Sequence, residues 1–216
     1  MLSKEEIDQY LQLLGEKVLS KYGPEAKVKL VVAGGAAIAL NYAFRESTMD
    51  VDTYSRYASE LEDSVREVAE EVGIECDWLS HNIMVTQSCS PKIENYASRY
   101  KLYCGVLDVH TVDALTLICM KSVSCRPDSH DMEDIVNLLD VNESVTFKDI
   151  RERFISLYGD WSQMKADAQM YLCNRFKAMP PDMIDTIAEY LPPSVCSTLN
   201  GEALYEACQE VYRRIL

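Results

Sequence analysis

Two aspartates separated by one residue are the side chains of this sequence best suited to chemistry. They are Asp50 and Asp52, and they follow a glycine pair, Gly34 and Gly35. Alternate side chains of a β-strand point to the same face, so the two Cα atoms are expected to lie roughly 6.5–7 Å apart. Clustered carboxylates repel each other, which raises the pKa of one of them unless a cation neutralises the pair. The spacing therefore predicts a site for a hard divalent cation, Mg²⁺ or Mn²⁺.

The glycine pair predicts an anion site beside that cation. Residues 28–32 have the composition of a buried strand, and residues 36–40 resemble the first turns of a helix. Backbone N–H groups at the start of a helix bind anions such as a triphosphate, since they have no partner within the helix. An anion site next to metal-binding carboxylates is typical of phosphoryl or nucleotidyl transfer.

The sequence around these residues resembles the polymerase-beta-like nucleotidyltransferases, in particular the bacterial group near the abortive-infection toxins of type IV toxin–antitoxin systems. That group typically reads Gly-Gly-x-Ala-Leu, then Arg-x-(Ser/Thr)-x-Asp-(hydrophobic)-Asp. Here Arg45 and Thr48 take the Arg and Thr positions, with one extra residue between them. Residues 77–80 (DWLS) resemble the group's Asp-Trp-Leu-Asn strand. Residues 117–121 (LICMK), Arg126 and residues 131–135 (DMEDI) resemble its "Leu-Ile-x-Met-Lys … Arg … Asp-x-x-Asp" segment.

The resemblance implies an enzyme that moves an NMP from an NTP to an acceptor hydroxyl. Lys121 would then reach the triphosphate, and Arg126, Arg45 and Thr48 would contact phosphate or nucleotide. The residues themselves leave other interpretations open: Lys121 could be a charge at a helix C-terminus, and Arg45 a surface cation. Arg126 could equally pair with Asp131.

A third carboxylate is common in such enzymes, as a general base or a further metal ligand. Asp77 is the favoured candidate, Asp108 is the second, and the role could also fall to neither. Both are predicted to lie on strands, at 75–79 and 102–109. Asp131 and Asp134 share one face of a helix, where they could orient Lys121 as well as touch a metal.

Two departures from the family pattern support a second hypothesis. Ala36 follows the glycines where the family often has Ser or Thr, and Ser80 stands in place of Asn. The alternative is therefore a weak or inactive relative that senses nucleotides or binds a protein. For an active enzyme, the acceptor could be an RNA 3′ end, a protein or a small molecule. A cognate antitoxin is a conceivable partner, because the toxin relatives act beside one.

The size and charge of the chain limit the number of domains and the classes of binding partner that we expect. The chain has 216 residues, a mass of 24.5 kDa and 48% apolar residues, which predicts one folded domain, with or without a helical appendage. Its net charge of −14 does not favour a broad nucleic-acid-binding face, because such binding depends on Lys and Arg. The acidity favours a basic protein partner. The sequence leaves room for one local basic patch, around Lys92, Arg99 and Lys101 or around Arg151, Lys165, Arg175 and Lys177.

The eight cysteines predict reduced thiols rather than disulfides or a zinc site. Cys76, Cys104 and Cys119 lie in apolar-periodic segments, and the sequence contains no Cys-x-x-Cys. No apolar run approaches the length of a membrane span, and the N-terminus lacks the apolar core of a signal peptide. These features predict a cytoplasmic protein without membrane contact.

The hydrophobic pattern predicts an α+β fold. A capping box at Ser3 and Glu6 opens a helix over 3–21, the glycines open another to about residue 43, and a strand covers 47–54. Further helices are predicted at 58–72, 111–122 and 128–139, and extended segments at 82–87 and 92–96. From residue 141 only helices are predicted, at 147–158, 160–178, 181–190 and 201–215. The expected organisation is a catalytic domain, 1–140, with a mixed sheet flanked by helices, and a helical domain, 141–216.

Overall fold

The computed structural model describes residues 1–54 and 59–215, without the side chains of residues 59 and 60. The predicted helix start at residue 58 lies outside these described parts. The strands are β1 Leu2–Ser3, β2 Val28–Val32, β3 Ser47–Thr48, β4 Val51–Asp52, β5 Leu79–Ser80, β6 Ala97–Tyr103 and β7 Leu107–Val112. The helices are α1 Lys4–Tyr22, α2 Gly34–Asn41, α3 Ser59–Val72, α4 Ala114–Ser124, α5 Asp131–Val141, α6 Phe147–Tyr158, α7 Ala166–Phe176, α8 Ile184–Ala188, α9 Pro193–Cys196 and α10 Gly201–Ile215.

A mixed sheet carries the glycines and the aspartates. β2 runs parallel to β7, β6 is antiparallel to β7, and β4 runs parallel to β5. Two backbone hydrogen bonds join the halves: Ala33 N–H donates to the Asp52 carbonyl at 3.0 Å, and Tyr54 N–H donates to the Val31 carbonyl at 2.8 Å. The strands therefore follow one another in the order β5–β4–β2–β7–β6. This arrangement confirms the predicted α+β class.

The first helix packs against this sheet as its sequence predicts. Ser3 and Glu6 form the capping box at the start of α1. Ile7, Leu11 and Leu14 recur at helical spacing and are fully buried. Local signals of this kind fix both the start and the buried face of α1.

The predicted strand over 47–54 is interrupted. β3 pairs with β1 at the start of the chain, whereas β4 pairs with β5, so the two short strands belong to different ladders. The chain bends between them at Met49, which is 80% exposed. The predicted strand over 75–79 was also wrong: β5 begins at Leu79, and Asp77 lies in the turn before it.

Several other segments predicted to be extended are turns. The stretches 82–87 and 92–96 contain the 3₁₀ turns Asn82–Val85 and Ile93–Tyr96. The stretch 102–109 is broken between β6 and β7, where Cys104 and Gly105 adopt φ values of 50° and 74°.

Two of the predicted helices also begin differently from the prediction. The predicted helices at 160–178 and 181–190 each begin with a 3₁₀ turn, Trp161–Gln163 and Pro181–Met183. These turns shorten the regular elements without changing their order.

The C-terminal helices continue the packing of the α/β part. α6 packs on α4, and buried apolar side chains form one cluster that includes Leu2, Leu117, Phe154 and Cys208. The domain boundary near residue 141 remains a prediction. Among the described residues, no helix combines the length and the apolar character that crossing a bilayer requires.

Candidate active site

The glycine pair lets a carboxylate and two side chains approach the start of α2. Gly34 has φ 60°, and a Cβ atom there would lie 3.3 Å from Asp52 Oδ2. A Cβ atom at Gly35 would lie 2.7 Å from Thr48 Oγ1 and 2.8 Å from a guanidinium nitrogen of Arg45. Neither position has room for a larger residue without a shift of its neighbours. Ala33, the N-cap residue, provides no side-chain hydrogen bond, so the first N–H groups of α2 are not capped by it.

Asp50 and Asp52 lie on either side of the fully buried Val51, and both are half-buried. Burial, and next to it the charge of Asp50, raises the pKa of Asp52 to about 6, although Lys121 and Arg126 act in the opposite direction. The structure therefore brings Asp50, Asp52 and Gly34 together. An acid that is hard to ionise beside a second acid is in an environment that favours a cation.

Four buried or half-buried charges form a network behind the aspartate pair, which we call the charge tetrad: Arg45, Lys121, Asp131 and Asp134. Arg45 contacts Asp134 at 2.5 Å, and Lys121 Nζ lies 2.7 Å from Asp131 Oδ1 and 2.9 Å from Asp134 Oδ2. The side chain of Asp131 is 0% exposed and that of Lys121 is 9% exposed. The two cations and two anions balance, which allows such burial.

The protonation of Asp131 follows from these contacts. Burial opposes its ionisation, but the charge and hydrogen bond of Lys121, the backbone N–H of Arg126 and the hydroxyl of Ser129 outweigh it. Together they hold the pKa of Asp131 well below its usual range. Asp131 is thus a permanent anion that orients Lys121, one of the two roles its position predicted.

Arg126 differs from Lys121 because its side chain is 70% exposed. Its Nε atom lies 3.3 Å from Asp131 Oδ2, at the edge of the charge tetrad. Arg45 and Thr48, predicted to contact the nucleotide, pack against Gly35. Lys121 and Arg45 are held in place by buried carboxylates, whereas most of the Arg126 side chain is exposed to solvent.

The two candidates for a third carboxylate, Asp77 and Asp108, lie in different surroundings. Asp77 is exposed, and the β5 residue opposite Asp52 is Ser80. Asp108 pairs with Arg99 at 2.7 and 2.8 Å, and this hydrogen bond is the main reason that its pKa is lowered. Across the described residues, no three His, Cys, Asp or Glu side chains are grouped so as to hold a metal. The identity of a third carboxylate remains a prediction.

Residues 9–178 match the family described as "nucleotidyltransferase of unknown function (DUF6036)". The match covers more than half of the chain. The chain belongs to this nucleotidyltransferase family. No curated protein and no solved structure was found to match it. The broad class predicted from the sequence is confirmed, while the closer link to abortive-infection toxins remains a prediction.

In this member of the nucleotidyltransferase family, sequence reasoning missed the loop around Cys89, which is close enough to Asp52 to respond to its charge. Burial, followed by the charge of Asp52, raises the pKa of the Cys89 thiol to about 11. The Tyr158 hydroxyl donates to the Ser88 carbonyl at 2.7 Å, and Ser90 Oγ donates to the carbonyl of residue 157 at 2.6 Å. α6 therefore anchors this loop. No local pattern reveals it, because contacts between residues about 70 positions apart leave no periodic signal.

The predicted basic patches are largely neutralised. Arg99 pairs with Asp108, and Arg175 lies 2.8 Å from Asp140. Arg151 is buried, where it pairs with Glu202 and stacks on the ring of Tyr205 at 3.8 Å. These pairings leave no broad basic face among the described residues of the two patches. All eight cysteines are free thiols, as predicted.

Proposed function

We propose that this chain is a metal-dependent nucleotidyltransferase that moves an NMP from an NTP to an acceptor hydroxyl. One observation carries the proposal: Asp52 lies directly against the glycine start of α2, with Asp50 close enough to affect its pKa. Carboxylates and open backbone N–H groups are the two kinds of group that a metal-bound triphosphate requires. Membership in a nucleotidyltransferase family supports the same reaction class.

The aspartate pair fits a hard divalent cation. Its donors are carboxylate oxygens, which suit Mg²⁺ or Mn²⁺. Burial, followed by the charge of Asp50, raises the pKa of Asp52, and a bound cation would favour its ionised form. When bound, such a cation would neutralise the phosphate charge and the charge that develops on the leaving group.

The residues of the chain would bind and orient the substrate. Backbone N–H groups at Gly34 and Gly35 would hold phosphate oxygens, and Arg126 would turn from solvent toward the triphosphate. Lys121, held by Asp131 and Asp134, would contribute its charge to the site, as it already does to Asp52. The acceptor hydroxyl would give up its proton, to the third carboxylate if one acts and otherwise to solvent. Its oxygen would form a bond to the α-phosphorus while the bond to the β-phosphate oxygen breaks, and pyrophosphate would leave.

The acceptor class stays open between an RNA 3′ end, a protein and a small molecule. A toxin-like role with a cognate antitoxin rests on the sequence resemblance alone. The third carboxylate, if one acts, is Asp77 or Asp108, and substitution tests both, because Asp77 is exposed and Asp108 is paired with Arg99.

The test is transfer of label from each α-³²P-NTP to total RNA, protein or small-molecule extract in the presence of Mg²⁺ or Mn²⁺. The wild-type chain is compared with Asp50→Ala/Asp52→Ala, with Asp77→Asn and with Asp108→Asn. Label transferred by the wild type and not by the double variant supports the proposal and identifies the base and the acceptor class. Equal labelling by the double variant, or none by the wild type, contradicts it.

A second candidate is a nucleotide-sensing or protein-binding relative with little or no turnover. It is favoured by the isolation of Asp50 and Asp52 from any third acid in the described residues, and by the engagement of Lys121 with two carboxylates. Thermal unfolding separates the candidates. A melting temperature raised by NTP and Mg²⁺, without label transfer, would favour the sensing module.

A further inference from the structure

A cavity far along the chain from the aspartate pair lies between α7 and α10. Its volume is about 530 Å³, which is within the usual range for small-molecule sites, roughly 300–1,000 Å³. One wall is a single stripe of α7 at helical spacing, which includes Gln169, Met170 and Asn174. The opposite wall contains Tyr212 and Arg213 of α10. The cavity is thus built by two helices and the turn that follows α7.

The lining of this cavity carries a net positive charge, whereas the whole chain is strongly negative. Lys177 and Arg213 line it, against a single acid, Asp182, in a protein of net charge −14. Nearby cations are neutralised: Arg175 pairs with Asp140, and Arg214 with a glutamate one turn away. Among the residues that the structure describes, no acid lies within ion-pair distance of Lys177 or Arg213. Two exposed, unpaired cations at one cavity favour an anionic ligand.

The remaining lining groups narrow the class of anion. Gln169 and Asn174 carry amides, which both donate and accept and so match the edge of a heterocyclic base. Tyr212 offers an aromatic ring for stacking, and Met170, which is 62% exposed, offers an adaptable apolar contact. A nucleotide has a group for each of these contacts. Its phosphate would contact the two cations, the edge of its base the two amides, and the face of its base the aromatic ring.

We propose that this cavity is a second nucleotide-binding site, separate from the aspartate pair. Lys177 and Arg213 bind the phosphate, and the amide and aromatic side chains of α7 and α10 contact the base. The ligand is either a free mononucleotide or the terminal nucleotide of a single-stranded RNA, since both present the same chemistry. The site is independent of the proposed transfer reaction, because it shares no residue with it.

The experiment measures binding of each of the four ribonucleoside monophosphates to the full chain by calorimetry, in EDTA. The chain carries Asp50→Ala/Asp52→Ala, so that the aspartate pair does not contribute. Arg213→Gln is expected to weaken binding about tenfold, equivalent to about 1.4 kcal/mol. Arg214→Gln is the matched control, one residue away on the same helix and outside the cavity, and should leave binding unchanged. Ala166→Trp, at a lining position, should occupy part of the cavity and weaken binding without removing a charge.

A short single-stranded oligoribonucleotide, used as competitor, distinguishes the two sources. Tighter binding of the oligonucleotide supports an RNA end, tighter binding of the monophosphate supports a free nucleotide, and both agree with the proposal. The proposal is overturned if no monophosphate or oligonucleotide binds saturably. It is also overturned if Arg213→Gln and Arg214→Gln weaken binding equally, or if only the chain with intact aspartates binds.

Discussion

Replacement of Asp52 by Asn should stabilise the cation-free protein at neutral pH. The pKa of Asp52 is raised from its ordinary value of 3.8 to about 6, first by burial and then by Asp50. Because the unfolded chain ionises more readily than the folded one, ionisation costs folding stability. At about 1.36 kcal/mol per pKa unit, the cost is about 3 kcal/mol above pH 6. For a chain of this size the melting temperature of Asp52→Asn should rise by about 6–12 °C.

The pH dependence of stability tests separately whether ionisation of Asp52 destabilises the fold. A raised folded-state pKa means that the contribution of Asp52 is fully present below about pH 3.8 and is lost as the pH rises through about 6. The gain in unfolding free energy of Asp52→Asn over wild type should therefore vanish near pH 4 and reach its full value at pH 7. Asp77→Asn is the matched control, because Asp77 is exposed and the same change there should alter stability by less than about 0.5 kcal/mol.

Thermal unfolding at pH 4, 5, 6 and 7, in EDTA and then in Mg²⁺, provides the measurement. Mg²⁺ should stabilise the wild type more than Asp52→Asn, since the variant has lost a carboxylate ligand. An Asp52→Asn chain that is less stable than wild type at pH 7, or an advantage that does not shrink with falling pH, would refute the reasoning.

Two further substitutions test the packing around the site. Gly35→Ala should destabilise the fold by about 1–3 kcal/mol in urea titrations, because its Cβ would meet Arg45 and Thr48 at under 3 Å; an unchanged midpoint would mean that these side chains can move aside. Lys121→Met should cost about 3–5 kcal/mol by leaving Asp131 buried without its ammonium partner. Addition of Asp131→Asn should recover most of that loss, and a double variant no more stable than the single one would argue against the pairing.

Sequence reasoning succeeded where the signal was local. The glycine pair, the helix after it and the two aspartates at the start and end of residues 50–52 lie within twenty residues, and turn chemistry and side-chain alternation specify them. The capping box of α1 is equally local. These short-range patterns were enough to predict the α+β class and the pairing of Asp52 with the glycine turn.

Sequence reasoning failed where distant segments decide the outcome. Arg45 meets Asp134 across 89 positions, and neither residue carries a local sign of that contact. β4 and β5 are two residues long, too short for an alternating pattern, so the turn at Asp77 was mistaken for strand. Tertiary pairing placed Ser80, not an acid, beside Asp52.

The last turn of α6 holds the segment that passes beside Asp52. Lys92 Nζ donates to the Ser156 carbonyl at 2.6 Å, and the hydroxyl of Tyr158 donates to the Ser88 carbonyl at 2.7 Å. Because a ribosome makes the chain from its N-terminus, every residue of the proposed transfer site emerges before these anchors do. A nascent chain of 140 residues already contains the glycine pair and the aspartates, but the segment beside them acquires its restraints only once residue 158 has been added.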